Sequence, residues 1–146
     1  MNVEEAPPGD GGIFPPAVDP SKVGEYPALT KSGGGFFYDD VLEYRVWCHP
    51  EAGAPDERDG EDYFFAFASY DDALAYAKTT PGAEEPLVLV RQIEHVDEPE
   101  PGVFIHVKTE RITEWRVEWL ANSKRQPTSI PELLGLEPRT GDPLEP

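Results

Sequence analysis

The chain has a single cysteine, Cys48, so it cannot form an internal disulfide, and no oxidising compartment is implied. Basic residues are few: 12 Lys and Arg face 29 Asp and Glu, a formal charge of −17. Such a surface repels phosphate backbones and anionic lipid, so neither nucleic acid nor membrane is an expected partner. Lys124-Arg125 is the one obvious basic pair. No run approaches the roughly 20 apolar residues needed to span a bilayer. The start carries Glu4 and Glu5 in place of a basic segment before an apolar run, so no signal peptide is expected. Cytoplasm is the expected location.

Large aromatic side chains, by contrast, are plentiful. Three Trp, six Tyr and seven Phe gain much from leaving water, and they cluster between Phe36 and Trp119. With 146 residues and polar ends, the chain has enough for one core and one domain.

Residues 1–30 hold six prolines and four glycines, which rules out a regular element of useful length. This stretch is either a disordered tail or an extended arm across the domain, with Ile13, Phe14, Val18 and Tyr26 as anchors. The domain proper is expected over 31–136, and 137–146 as a loose tail.

Within the domain, alternation predicts a strand over Val41–Trp47, with Leu42, Tyr44 and Val46 facing the core. Tyr63–Ala68 (YFFAFA) is almost wholly apolar, which predicts a central strand covered on both faces. Ser69 reads as a helix N-cap with Asp72 three residues on, so a helix is expected over Tyr70–Lys78, burying Ala73, Leu74 and Ala77. Leu87–Ile93 and Val103–Lys108 read as strands, and the short Glu98–Gly102 break between them permits antiparallel pairing. Ile112–Leu120 reads as a last strand with Trp115, Val117 and Trp119 on one face. Pro131 suits the first turn of a short helix over Ile130–Leu136, with Leu133, Leu134 and Leu136 docking. The order β-β-α-β-β-β predicts an α+β fold: a mostly antiparallel sheet of about five strands with one main helix on one face.

Residues able to carry chemistry are scattered. Cys48 and His49 end a strand, but neighbours on an extended chain point apart, so His49 is badly placed to activate the thiol. Cys48, His49, His95 and His106 have zinc-binding chemistry without zinc-binding spacing, and no metal site is expected. Arg45, Ser69 and Glu118 fall in the order of an ADP-ribosyl-transfer set, but Ser69 is explained by capping. Gly33–Gly35 precedes aromatic residues and lacks a following Lys-Ser/Thr, so it reads as a flexible turn and not a phosphate loop.

The charged side chains of the sheet allow two readings. Glu43, Arg45, Arg91, His106, Glu114, Arg116 and Glu118 form either a solvated face with cross-strand ion pairs or a shallow cleft. In the cleft, Arg45 or Arg91 would bind an anion, with Trp115 beside it. Glu114, Glu118 or His106 would serve as the proton-transfer group. Trp115 and Trp119, if exposed, would mark a partner surface.

Three segments, Ser32–Pro50, Pro81–Leu87 and Ile112–Trp115, resemble a group of short bacterial proteins associated with the GNAT acetyltransferases. The resemblance covers roughly residues 20–134 and implies an acyltransferase using acetyl-CoA. The pyrophosphate-binding pattern of those enzymes, Arg/Gln-x-x-Gly-x-Gly/Ala, has no match in this chain, so no catalytic residue is carried over. Two functions are therefore expected. The first is a non-enzymatic binding or regulatory domain for a protein or small ligand. The alternative is acetyl-CoA-dependent acyl transfer.

Overall fold

The computed structural model describes residues 14–28 and 31–135. Ile13, Leu136 and the tail 137–146, on which parts of the expectation fall, lie outside the described residues. The fold is α+β, as the element order predicts. In chain order the elements are β1 (Lys31–Ser32), β2 (Asp40–Cys48), β3 (Tyr63–Phe67), α1 (Tyr70–Thr79), β4 (Leu87–Gln92), β5 (His95–Glu100), β6 (Val103–Val107), β7 (Arg111–Arg116) and α2 (Ser129–Leu133). One sheet runs β1-β7-β4-β2-β3, antiparallel except for the two-residue pairing of β1 with β7. β5 and β6 form a separate two-stranded ribbon.

Helix α1 begins where its cap predicts. The Ser69 hydroxyl accepts from the Asp72 amide at 3.2 Å, and Asp71 and Asp72 lie at the positive helix end. Its buried stripe centres on Ala73, with Tyr70, Tyr76 and Ala77 packed on the core and Leu74 only half-buried. The helix covers the sheet face made by Tyr44, Val46 and Cys48 of β2 and Val88 and Val90 of β4, with Trp115 of β7 beside them.

Several expectations are corrected. Simple alternation along β2 fails at Leu42, where a bulge interrupts the pairing with β4. Val41 sits opposite Val90 on the helix face, while Glu43 sits opposite Leu89 on the other. The YFFAF strand, β3, is an edge strand and not a central one. Its aromatic rings pack against α1 on one side and against Trp47 and Arg45 on the other, and Phe65 stays exposed. β4 does not pair with β6; it lies between β2 and β7.

A strand that alternation missed, β5, runs through Glu98–Glu100. Pro99 fits there because the ladder is irregular between Asp97 and Glu100. The last strand stops at Arg116 and turns into a short 3-10 helix, Val117–Leu120, so Trp115 is buried while Trp119 emerges. In α2 the docked residue is Ile130, and Pro131 follows it inside the turn.

Residues 14–28 form an arm on the domain. The Ala17 amide donates to the Ala68 carbonyl at 2.8 Å, and Val18 to Val41 at 2.8 Å. Phe14 stacks on Tyr70 with ring centroids 4.2 Å apart, and the Tyr44 hydroxyl donates to the Pro15 carbonyl at 2.6 Å. Ala17 is buried, whereas the expected anchor Val18 is exposed. Pro15 thus meets the helix-side residue Tyr44, and Pro27 and Ala28 meet Arg45, which points the opposite way. The arm wraps from one face of the sheet to the other.

Candidate functional site

The charged face of the sheet is sealed from solvent at Arg45 and Glu43, while Arg91 is half-buried and Arg116 and Glu118 stay exposed. Arg45 and Glu43 are fully buried beneath the arm. The Arg45 guanidinium donates to Glu43 at 2.8 Å, to Glu114 at 3.3 Å, and to the carbonyls of Pro27 at 2.5 Å and Ala28 at 3.2 Å. It also lies 4.4 Å over the Phe64 ring. Glu43 accepts the Gly24 amide at 2.7 Å, and Glu114 accepts the Trp47 indole N–H at 2.9 Å. Each charge is met by an opposite charge and by main-chain dipoles, as burial requires. Arg45 therefore has its donors engaged within the chain; its role is to hold the arm, and the expected anion-binding cleft is closed.

The other expected site residues disperse. Arg91 is paired across the strands with Asp40 at 2.5 Å and with Glu110 at 3.3 Å, and these carboxylates, Asp40 first, raise its already high pKa. Glu118 is exposed and pairs with Arg116 beside it. His106 sits on the ribbon, 2.7 Å from Glu94. Arg45 and Glu114 are brought together; Arg91, His106 and Glu118 are not.

Cys48 lies in the core, where burial raises its thiol pKa. His49 faces away and is held at 2.9 Å by Asp62 and by Glu84; Asp62 is the larger cause of its raised pKa. Among the described residues, no group of three or more His, Cys, Asp or Glu side chains is placed to hold a metal ion.

An open groove lies beside the glycine run. It encloses about 440 Å³ and is lined by Gly34, Gly35, Phe36, Trp115, Trp119, Ala121 and Ser123. The glycine run is not a loose turn. The Gly34 carbonyl accepts the Trp115 indole N–H at 3.0 Å and the Gln92 amide at 3.0 Å. Gln92, itself buried, also donates to the Phe37 carbonyl at 2.9 Å and accepts from Arg111 at 2.5 Å. A Cβ at Gly35 would overlap the Gln92 side-chain amide, and one at Gly33 would sit 3.2 Å from the Trp119 ring; both glycines have positive φ. The run is glycine because the chain must pass flat against Gln92 and Trp119.

The groove walls are aromatic. Trp115 and Trp119 meet edge to face at 6.1 Å, and Trp115 meets Tyr38 likewise at 5.9 Å. Trp119 remains 42% exposed and Phe36 39%. Phe36 continues the apolar surface to Phe104 of the ribbon, 5.8 Å away.

Comparison with protein-family models, curated proteins and solved structures finds no match for this chain. The site is thus read from its own geometry. Of the two tryptophans expected to mark a partner surface if exposed, Trp119 is open and Trp115 is buried. The structure adds one groove residue that the sequence did not single out, Phe36, whose emergence depends on the glycine run.

Proposed function

We propose that the protein is a non-enzymatic binding domain whose groove receives an apolar or aromatic group. One observation carries this reading: Trp119 and Phe36 stand open to solvent along a concave apolar wall, with buried Trp115 as its floor. Leaving such surface in water forgoes about 25 cal/mol per Å², a cost a bound partner would relieve. The wall is held in shape by the Trp115–Gly34–Gln92 hydrogen bonds, so little ordering remains to be done on binding.

Acetyl-CoA-dependent acyl transfer has less behind it. Its candidate bases are occupied or remote from the groove: Glu114 holds Arg45 and Trp47, and Glu118 pairs with Arg116 on the surface.

Titration with indole and with phenylalanine amide, followed through the tryptophan indole N–H and the backbone amide signals, tests the binding reading. Dose-dependent shifts are expected at the Trp119 indole and the Ser123 amide, with loss of the Ser123 shift in Trp119→Ala. Trp47, whose N–H is bonded to Glu114, is the internal control. Shifts at Trp119 no larger than those at Trp47 would refute the reading. Thermal stabilisation by millimolar acetyl-CoA would replace it with the alternative.

A further inference from the structure

Strand β6 (Val103-Phe104-Ile105-His106-Val107) pairs along one edge with β5 and, among the described residues, with nothing along the other. A two-stranded ribbon is marginal alone and gains from a third strand. Exposed strand edges are usually blunted by Lys, Pro or covering segments. Among the described residues this one has no such guard: Val103, Phe104 and Ile105 are consecutive and 45%, 36% and 49% exposed. Because neighbouring strand residues face opposite ways, the exposure covers both faces of the ribbon. The edge strand β3 of the main sheet exposes only Phe65 among its large apolar residues.

The surroundings specify the visitor. Between positions 94 and 110 the chain carries five carboxylates and one lysine. Asp97 lies opposite Ile105 and Glu100 opposite Val103, so carboxylates flank the exposed apolar side chains on their own face. Glu98, Glu100 and Asp97 are solvent-exposed, with Asp97 also 3.3 Å from His95. A second copy of the chain would bring the same carboxylates, and another formal −17, against this edge.

We propose that β6 is a docking strand. It accepts an extended segment of a partner protein in which Val or Ile alternates with Lys or Arg. Main-chain hydrogen bonds to the free edge give affinity. Phe104 packs against the apolar residues on one face of the ribbon; on the other, the basic side chains lay their stems over Val103 and Ile105 and reach Asp97 and Glu100. This inference rests on the reading of the protein as a binding domain and names the partner class.

The test uses the full chain and three synthetic nine-residue peptides: one alternating Val with Lys, the same peptide with Pro replacing alternate Val residues, and one alternating Val with Glu. Amide hydrogen exchange and backbone NMR shifts are followed. The Val/Lys peptide is expected to slow exchange along Val103–Val107. Its affinity should fall at least about tenfold between low and roughly 0.5 M salt, as screening removes the attraction. The Pro and Glu peptides are expected to bind at least about tenfold more weakly.

Ile105→Lys, a surface change, should weaken the Val/Lys peptide by a similar factor, and Ile105→Val should retain it. Equal binding of the Pro or Glu peptide would overturn the proposal, as would protection at Tyr63–Phe67 in place of β6. Concentration-dependent protection of β6 without peptide would assign the edge to a second copy. The Trp119 titration reads the groove separately, so failure at β6 leaves that result standing, and the reverse holds.

Discussion

Replacing Arg45 with Met strands Glu43. In the native protein the Glu43 carboxylate, wholly out of water, is met by the Arg45 guanidinium at 2.8 Å and the Gly24 amide at 2.7 Å. Met fills much of the volume of Arg but brings no charge, so Glu43 keeps only the amide. Breaking a buried pair in this way costs about 3–5 kcal/mol. Against a typical total of roughly 5–15 kcal/mol, that is a large share. At about 2–4 °C per kcal/mol the melting temperature should fall by roughly 6–20 °C.

Removing both charges should be gentler. Glu43→Gln retains an oxygen for the Gly24 amide, so the Glu43→Gln/Arg45→Met double variant strands no carboxylate. The two substitutions should therefore couple by at least about 1 kcal/mol in a double-mutant cycle. Equilibrium urea unfolding, followed by tryptophan fluorescence and far-ultraviolet circular dichroism, measures all four corners. Limited proteolysis should also show faster cleavage within 14–28 in Arg45→Met, because Pro27 and Ala28 lose their donor. An Arg45→Met loss below about 1 kcal/mol, or strict additivity, would refute the account of the charges as a buried mutual pair that pins the arm.

Three other outcomes are expected. Gly35→Ala should destabilise more than Gly60→Ala: both carry the positive-φ strain of about 1–2 kcal/mol, but only at Gly35 does the new methyl displace a buried side chain, that of Gln92. Equal midpoints in urea for the two variants would contradict this. Cys48 should resist a thiol reagent in the native protein and react within the dead time in denaturant, since burial both hides the thiol and raises its pKa; rapid native labelling would count against the core placement. The His49 imidazole is raised above 6.5 by Asp62 and Glu84, so its contribution is full below that value and fades as pH climbs through the raised one. The melting-temperature gap between wild type and His49→Gln should accordingly narrow from about pH 6 to about pH 9, and a gap that widens would reverse the sign.

The contrast between helix and sheet shows how far local pattern reaches. Helix α1 was legible to within a residue because its start rests on local chemistry: the Ser69 hydroxyl reaches the Asp72 amide three positions away, whatever the rest of the chain does. The groove was half legible. Trp115 stood out as a candidate, but whether Trp119 pointed the same way depended on where β7 ended. The chain leaves the strand at Arg116 and coils through Val117–Leu120, which no two-residue period encodes. β5 was hidden because Glu98, Pro99 and Glu100 read as part of a breaker, yet a ribbon open to solvent tolerates acids, and an irregular ladder tolerates proline.

By itself the sequence determined the α+β class, the positions of β2, β4 and α1, and the acidity that disfavours polyanions. All of these depend on residues near one another in the chain or on composition alone. Tertiary structure decided which face of β2 is sealed, because the cover for Arg45 comes from Pro27 and Ala28, 18 and 17 residues upstream. It decided that YFFAF is an edge, because strand order follows from long-range pairing and not from hydrophobicity. It also decided that the Gly33–Gly35 run is a fitted wall: a glycine's need for space is set by the Gln92 and Trp119 side chains that reach it only once the sheet has formed.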